Sequence, residues 1–433
     1  MIKTKPRVCL VVPPDSIYVP APGLEFYKES PLMSLTMMAT LVLKKGYHAE
    51  IIDLRKGEPD RENITRYIAN NFDICGITTW IHSYPFLEEV TSKIKKQNPK
   101  CLIVVGGPFF SSIPKLLMEH LPIDVGVIGE GEVTFIELLN HLYSNDGDLQ
   151  NICGIAYNNR GKLNFTSVNL SQANLNNFPN PKLDLWPDGF GRKKGTIFYE
   201  TSRGCPYRCS FCSDTIKKYF AKSPQKLASE LEYIKLNYDI SHFFFVDPCF
   251  NFTVDRVKVL CKVFEGLGIT WECMLRIAKA DYDMFSLMHK AGCRKVWLGV
   301  ESLSEESLEK SGKGIKKDII EGKVKQALEA GLRVICWFIL GLPGETEATL
   351  DEMVNFTEKY QIIPRPNYLI PLPGTPYWDI AVKDFFSGEE IKCLKWVAEF
   401  GNGKKLMNFT SIPDRKLINV FDYFYGIMLQ RGA

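Results

Sequence analysis

The feature that most limits the fold of this chain is an alternation of apolar runs with amphipathic stretches, carried out twice and broken once. In the first third the apolar runs are 8–12, 49–52, 74–78, 102–105 and 125–128, separated by amphipathic stretches such as 35–45, 86–96, 115–120 and 133–142. Runs that are apolar at nearly every position read as strands covered on both faces, and such strands belong to parallel sheets wound with helices. A doubly wound, Rossmann-like α/β sheet is therefore expected here. The polar, turn-rich stretch 144–148 ends the pattern, and a hairpin is expected from 154–157 and 163–166 around Asn158-Asn159-Arg160-Gly161.

From 168 to 190 the chain is rich in Asn and Pro and has no period, as an interdomain linker would be. Alternation then resumes, with strands expected at 196–201, 242–246, 271–275, 295–300, 333–340 and 367–370. Six such steps suit a partial (β/α)6 TIM-like barrel better than a closed eight-stranded one. Two helical patterns in the tail, 389–399 and 416–429, are expected to pack on that barrel. The expected units are 1–167, a linker 168–190, the barrel 191–385 and a helical extension 386–433.

Composition excludes several classes. With 45% hydrophobic and 24% charged residues the chain is globular and not disordered. A formal charge of +3 gives no global pull toward nucleic acid or membrane, and no basic, base-stacking groove for RNA is visible. No apolar stretch approaches the length of a bilayer span. The run 8–12 meets Pro13-Pro14, so it reads as a buried strand and not as a signal peptide; a cytoplasmic address is expected. Thirteen cysteines in such a compartment are free thiols or metal ligands. Those within strand patterns, Cys9, Cys75, Cys273 and Cys336, read as small core residues.

Cys205, Cys209 and Cys212 are different. They directly follow the strand expected at 196–201, so their loop lies at its C-terminal end, where barrel enzymes do chemistry. Their spacing lets one loop wrap three thiolates around one face of an iron–sulfur cubane, leaving the fourth iron open to an exogenous ligand. The competing reading is zinc. It wants four ligands in paired spacing, and the next candidates, His242 and Cys249, fall on the following strand and its exit.

This C-x3-C-x2-C loop, with Phe211 before the last cysteine, resembles that of the radical S-adenosylmethionine superfamily, and the likeness extends across the expected barrel. The resemblance implies a [4Fe-4S] cluster whose open iron chelates the methionine moiety of S-adenosylmethionine (SAM) and cleaves it to a 5′-deoxyadenosyl radical, with Phe211 near the adenine. It places Asp247 near the methionine amine, although the glycine pair usual there is absent and a capping or turn Asp is the alternative. Glu301 and Ser302 match the stretch that hydrogen-bonds the ribose. Gly341-Leu342-Pro343-Gly344 forms a tight turn before a helix that Glu345 or Thr346 would cap. Pro371 opens a rigid turn on the substrate side, and Arg276 enters the cavity if its strand face is inward, an outward salt-bridged Arg being the alternative.

A doubly wound sheet binds ligands beyond its strand C-termini. The loops there are 13–31, with Pro20, Pro22 and Gly23, then Thr79-Trp80, Gly106-Gly107-Pro108 and Gly129-Glu130-Gly131-Glu132. No G-x-G-x-x-G follows the first strand, which disfavours a dinucleotide. Placed before such a barrel, this domain resembles the cobalamin-binding domain of cobalamin-dependent radical SAM enzymes of the methyltransferase-like class B. The resemblance implies cobalamin held by Thr79, Trp80, Gly106, Gly107, Pro108, Glu130 and Gly131. The Asp-x-His-x-x-Gly motif that supplies a histidine lower ligand is missing, and only His82 sits at a relevant strand end, so displacement of the lower base without a histidine replacement is expected. The alternative is a module that has lost cobalamin and serves as scaffold.

The implied activity is transfer of a methyl group from methylcobalamin to a carbon radical made by the 5′-deoxyadenosyl radical. Some relatives instead perform oxidative cyclisation, ring contraction or another rearrangement. A zinc- or cluster-bearing binding protein without turnover is the reading from a different class. The expected partners are a small-molecule substrate (a natural-product or lipid intermediate) and an external electron donor such as flavodoxin or ferredoxin, with the chain a monomer or weak dimer.

Overall fold

The apolar runs of the first third pair with one another in a computed structural model, which describes residues 5–14, 30–55, 60–144, 148–168, 174–187, 196–214, 216–399 and 406–432. They form β1 (Arg7–Val12), β2 (His48–Asp53), β3 (Ile74–Thr78), β4 (Leu102–Gly106) and β5 (Val125–Val127). The hairpin strands β6 (Ile155–Asn159) and β7 (Lys162–Phe165) join the same sheet, in the order β2-β1-β3-β4-β5-β6-β7. The first five pair in parallel and the hairpin adds an antiparallel edge. Its turn places Arg160 and Gly161 at φ of 52° and 83°, the left-handed pair that a tight hairpin needs.

One face of this sheet carries the helices Met33–Lys44 and Gly131–Ser144, the other Arg61–Asn71 and Tyr84–Gln97. Covered on both faces, Val8 to Val12 are all buried, which is why the run shows no polar alternation. The loop expected at 13–31 lies mostly outside the described residues, as do 145–147 and the ends of the Asn- and Pro-rich stretch. The middle of that stretch is packed. Leu175, Leu183 and Trp186 are buried, the Trp186 Nε1–H donates to Thr36 Oγ1 at 2.7 Å, and the Leu183 N–H donates to Tyr238 Oη at 3.1 Å.

The second sheet comprises β8 (Thr196–Tyr199), β11 (His242–Phe245), β12 (Thr270–Leu275), β13 (Cys293–Glu301), β14 (Arg333–Leu340) and β15 (Ile363–Tyr368). All pairs are parallel, in the order β15-β14-β13-β12-β11-β8, and the two outer strands do not close on each other. This is the expected partial barrel. A short antiparallel pair, β9 (Ser202–Arg203) with β10 (Phe220–Ala221), brackets the cysteine loop.

The tail departs from expectation. Helix Asp414–Arg431 does pack on the barrel, its Phe421 stacking on Tyr368 of β15 with ring centroids 4.5 Å apart. Helix Glu390–Ala398 instead lies against the first domain. Its buried Cys393, Leu394 and Val397 share a core with Phe86 and Leu87, and Lys395 pairs with Glu88 at 2.9 Å. Its apolar stripe finds a partner that sequence periodicity does not name.

Candidate active site

The cysteine loop begins at a residue only glycine can fill. Gly204 has φ of +75°, and a Cβ there would lie 2.1 Å from the Lys218 carbonyl oxygen. The loop is then held by Cys205 N–H to Ile216 O at 2.9 Å and Ser210 N–H to Ser311 O at 2.9 Å. Cys205, Cys209 and Cys212 all line one cavity of about 380 Å³ at the mouth of the barrel, with Phe211 among them. Burial pushes the Cys205 and Cys212 thiols up, so metal binding there displaces protons. Three soft sulfur donors on a single loop, facing a space, fit a [4Fe-4S] cluster with one open iron. The structure also brings Cys249 to the same cavity wall, where burial pushes its thiol up to about 11.

Arg276 takes the inward orientation. It lines the cavity, its guanidinium 3.7 Å from the Tyr207 ring centroid and 4.0 Å from Cys209 Sγ, and it donates to the Lys313 carbonyl. Glu301 also lines the cavity, at a strand irregularity with φ of 70°, and its Oε1 is 2.6 Å from Lys313 Nζ. Lys313 stands between Gly312 and Gly314, both at φ of 65°, and sequence reasoning missed it. Gly299 makes room for the pair, since a Cβ there would lie 2.6 Å from Glu301 Oε1 and 2.7 Å from Lys313 Nζ.

Three expected residues stand outside this lining. Asp247 is fully buried and accepts from the Ser202 hydroxyl at 2.8 Å and Thr201 Oγ1 at 3.1 Å, tying β11 to the start of the cysteine loop. Burial raises its carboxyl to about 6, against those hydrogen bonds. Ser302 Oγ donates to Glu345 Oε1 at 2.7 Å, and Glu345 accepts from the Gly341 and Leu342 N–H groups, so this pair braces the turn after β14. Thr346, not Glu345, caps the helix that follows, accepting from the Thr349 N–H at 3.2 Å. Pro371 is buried, while its neighbours Ile370 and Leu372 face the cavity.

A second cavity, of about 500 Å³, lies over the carboxyl ends of the first sheet. Of the expected residues, Trp80, Gly106, Gly107, Pro108, Glu130 and Gly131 line it. Thr79 does not. Its hydroxyl donates to Gly106 O at 2.8 Å and accepts from the Phe110 N–H at 3.2 Å, and Thr78 lines the cavity in its place. Ser34, Met38 and Phe135 complete this side and carried no motif. Gly107, with φ of +100°, is a cradle a side chain would spoil, because a Cβ there would lie 2.7 Å from Thr79 N and 2.8 Å from Thr79 O. Bare glycine backbone beside apolar walls fits the face of a large macrocycle such as cobalamin. His82 turns elsewhere, its Nδ1 3.0 Å from Ala398 O.

The barrel supplies the opposite wall of this cavity with Glu200, Arg203, Gly204 and Pro248. Arg203 lies between the units, bonded to Glu200 and paired with Glu130 at 3.2 Å and Glu132 at 2.7 Å. Desolvation pushes the Glu130 carboxyl up to about 7; Arg203 opposes this, and Glu132 and Glu200 add to it. Pro248 lines both cavities and so stands in the wall they share.

Residues 23–139 match the B12 binding domain and residues 199–357 the radical SAM superfamily. The chain is 30% identical, over 95% of its length and 90% of the relative's, to an uncharacterized methyltransferase, PH0819, of Pyrococcus horikoshii. It is 26% identical, over 72% of its length and 59% of the relative's, to the anaerobic magnesium-protoporphyrin IX monomethyl ester cyclase of Rubrivivax gelatinosus. The solved radical SAM methyltransferase TsrM of Kitasatospora setae, with cobalamin and a [4Fe-4S] cluster bound, shares the fold with a TM-score of 0.72 at 20% identity, over 87% of this chain and 78% of that one. By these similarities the chain belongs to the cobalamin-dependent, methyltransferase-like radical SAM enzymes, whose cofactors are a [4Fe-4S] cluster, SAM and cobalamin.

Proposed function

We propose that the chain is a C-methyltransferase that places a methyl group on an unactivated carbon of a small molecule. The observation that carries this reading is that the glycine-lined and cysteine-lined cavities share Pro248 in their walls, which sets the two proposed cofactor sites side by side. When bound, the cluster and SAM supply hydrogen abstraction and cobalamin supplies the methyl group. The chain's own work is placement. Cys205, Cys209 and Cys212 hold the cluster, while Arg276 braces the loop from beneath. Glu301 and Lys313 present a carboxylate and an ammonium to the polar parts of SAM, with Phe211 beside them. Trp80, Gly107, Pro108 and Gly131 seat the macrocycle, and Arg203 fixes its wall to the cysteine loop. An external one-electron donor such as flavodoxin or ferredoxin completes the system.

Turnover with methyl-deuterated SAM tests the reaction. The expected product is heavier than the substrate by one labelled methyl in place of hydrogen, formed together with 5′-deoxyadenosine. The similarity to a cyclase favours one second reading, oxidative ring closure. In that case the product is lighter by hydrogen and carries no label.

A further inference from the structure

The cysteine loop and one distant stretch are basic without acids among them. The stretch 201–213 holds Arg203 and Arg208 and no acid, and 310–317, Lys-Ser-Gly-Lys-Gly-Ile-Lys-Lys, holds four lysines and no acid. The fold lays the two side by side. Ser210 N–H donates to Ser311 O at 2.9 Å, and a Cβ on Gly312 would lie 3.3 Å from Arg208 O. A Cβ on Gly314 would lie 3.6 Å from Arg276 Nη2. From the short turn Ile277–Lys279, Lys279 Nζ stands 5.6 Å from the centre of the Tyr207 ring, against which the Arg276 guanidinium packs.

Arg208, Lys279 and Lys316 are exposed, and none of them lines either cavity. Among the described residues none of the three is ion-paired, whereas Lys310 and Lys317 are spent on Glu306 and Glu352. The nearby acids are mostly engaged as well. Glu305 Oε1 accepts from the Lys317 N–H at 2.9 Å, and Asp214 lines the other cavity. Glu309 is the acid left in the stretch 305–317. Gly312 and Gly314 are exposed, so the surface between these cations is bare backbone that a partner can approach closely. The Arg276 guanidinium is 4.0 Å from Cys209 Sγ, so a single side chain separates this basic face from a residue of the cysteine loop.

We infer that this face docks an acidic one-electron carrier protein, whose carboxylates meet Arg208, Lys279 and Lys316 and whose redox centre faces Cys209 across Tyr207 and Arg276. Reductive cleavage of SAM consumes one electron, and that electron has to enter through the protein surface. In the docked pair one electron leaves the carrier's reduced centre and enters the cluster. The carrier ends oxidised by one electron and the cluster reduced by one, and no bond or proton changes hands. This rests on the reading of Cys205, Cys209 and Cys212 as cluster ligands and names the partner of that site.

The test uses the full chain, anaerobically reconstituted with iron, sulfide and cobalamin, and a plant-type [2Fe–2S] ferredoxin as the acidic probe. Binding is read by calorimetric titration, and electron transfer by loss of the reduced ferredoxin's own EPR signal in freeze-quenched samples. Affinity should fall about tenfold between about 10 mM and about 100 mM salt, where screening shortens from ~30 to ~10 Å. Arg208→Glu with Lys316→Glu should cost about tenfold or more in both affinity and transfer rate at low salt. Reduction of the same variant's cluster by dithionite should match the wild type, with circular dichroism verifying the fold. Lys100→Glu with Lys162→Glu, exposed positions on the first domain, makes the same change in net charge and should leave ferredoxin binding intact. Wild-type affinity and rate in the Arg208/Lys316 variant, an equal loss in the Lys100/Lys162 control, or no ferredoxin binding by a chain whose cluster dithionite reduces overturns the inference. A chain whose cluster accepts electrons from ferredoxin but which transfers no labelled methyl overturns the reaction proposed above and leaves the docking face standing.

Discussion

Around Arg203 three carboxylates compete for one guanidinium, and Glu130 is the one whose carboxyl rises to about 7. Its value in the folded chain lies above the ordinary 4.5, so between about 4.5 and 7 the folded state holds a proton that the unfolded state has released. Stability contributed at this position is therefore present below that window and falls as pH rises through it. Glu130→Gln removes the titration. Thermal unfolding should show the variant gaining on the wild type from about pH 5 to about pH 8, by on the order of 3 kcal/mol at most. Parallel pH curves would contradict the account. Glu130 was legible in the sequence because it follows a strand end within a glycine pair. Lys313 was not, because its role depends on a chain reversal that sets it against Glu301, and no spacing encodes that. Thr79 shows the reverse error, since a polar residue at a strand end can spend its hydroxyl on its own backbone, as here on Gly106.

At the scale of elements, strands with continuous apolar runs were readable, and their order followed from the alternation. The start of β15 was hidden by Pro364 and Pro366, which an edge strand accepts because one side of its backbone has no partner. Helix Arg61–Asn71, which buries only Thr65, Ile68 and Ala69, shows too thin a stripe to stand out. Helix Glu390–Ala398 was visible, but amphipathicity states that a face is covered and not by what. The turn at Gly106-Gly107 is the element on which the proposed cobalamin site depends. Gly107→Ala forces a Cβ to within 2.7 Å of Thr79 N in a left-handed conformation. The variant should lose cobalamin on gel filtration, read by its visible absorbance, while retaining cluster iron. Retention of cobalamin at wild-type stoichiometry would contradict the placement of the cradle.

For the whole molecule, the two units are joined by more than chain connectivity. Arg203 reaches from the barrel into the first domain, Trp186 anchors the intervening stretch on Thr36, and helix Glu390–Ala398 returns from the barrel to the first domain's helices. These contacts hold the cysteine loop and the glycine cradle on either side of Pro248. Long-range placement of this kind is a property of the folded chain, which is why two sites were legible in the sequence and only the structure relates them. If Cys205, Cys209 and Cys212 carry a cluster that cleaves SAM, anaerobic reconstitution with iron and sulfide, followed by reduction in the presence of SAM, should yield 5′-deoxyadenosine from the wild type. Cys209→Ala should yield none, and its bound iron should fall. A wild-type chain that retains its cluster and binds SAM yet forms no 5′-deoxyadenosine would contradict that assignment.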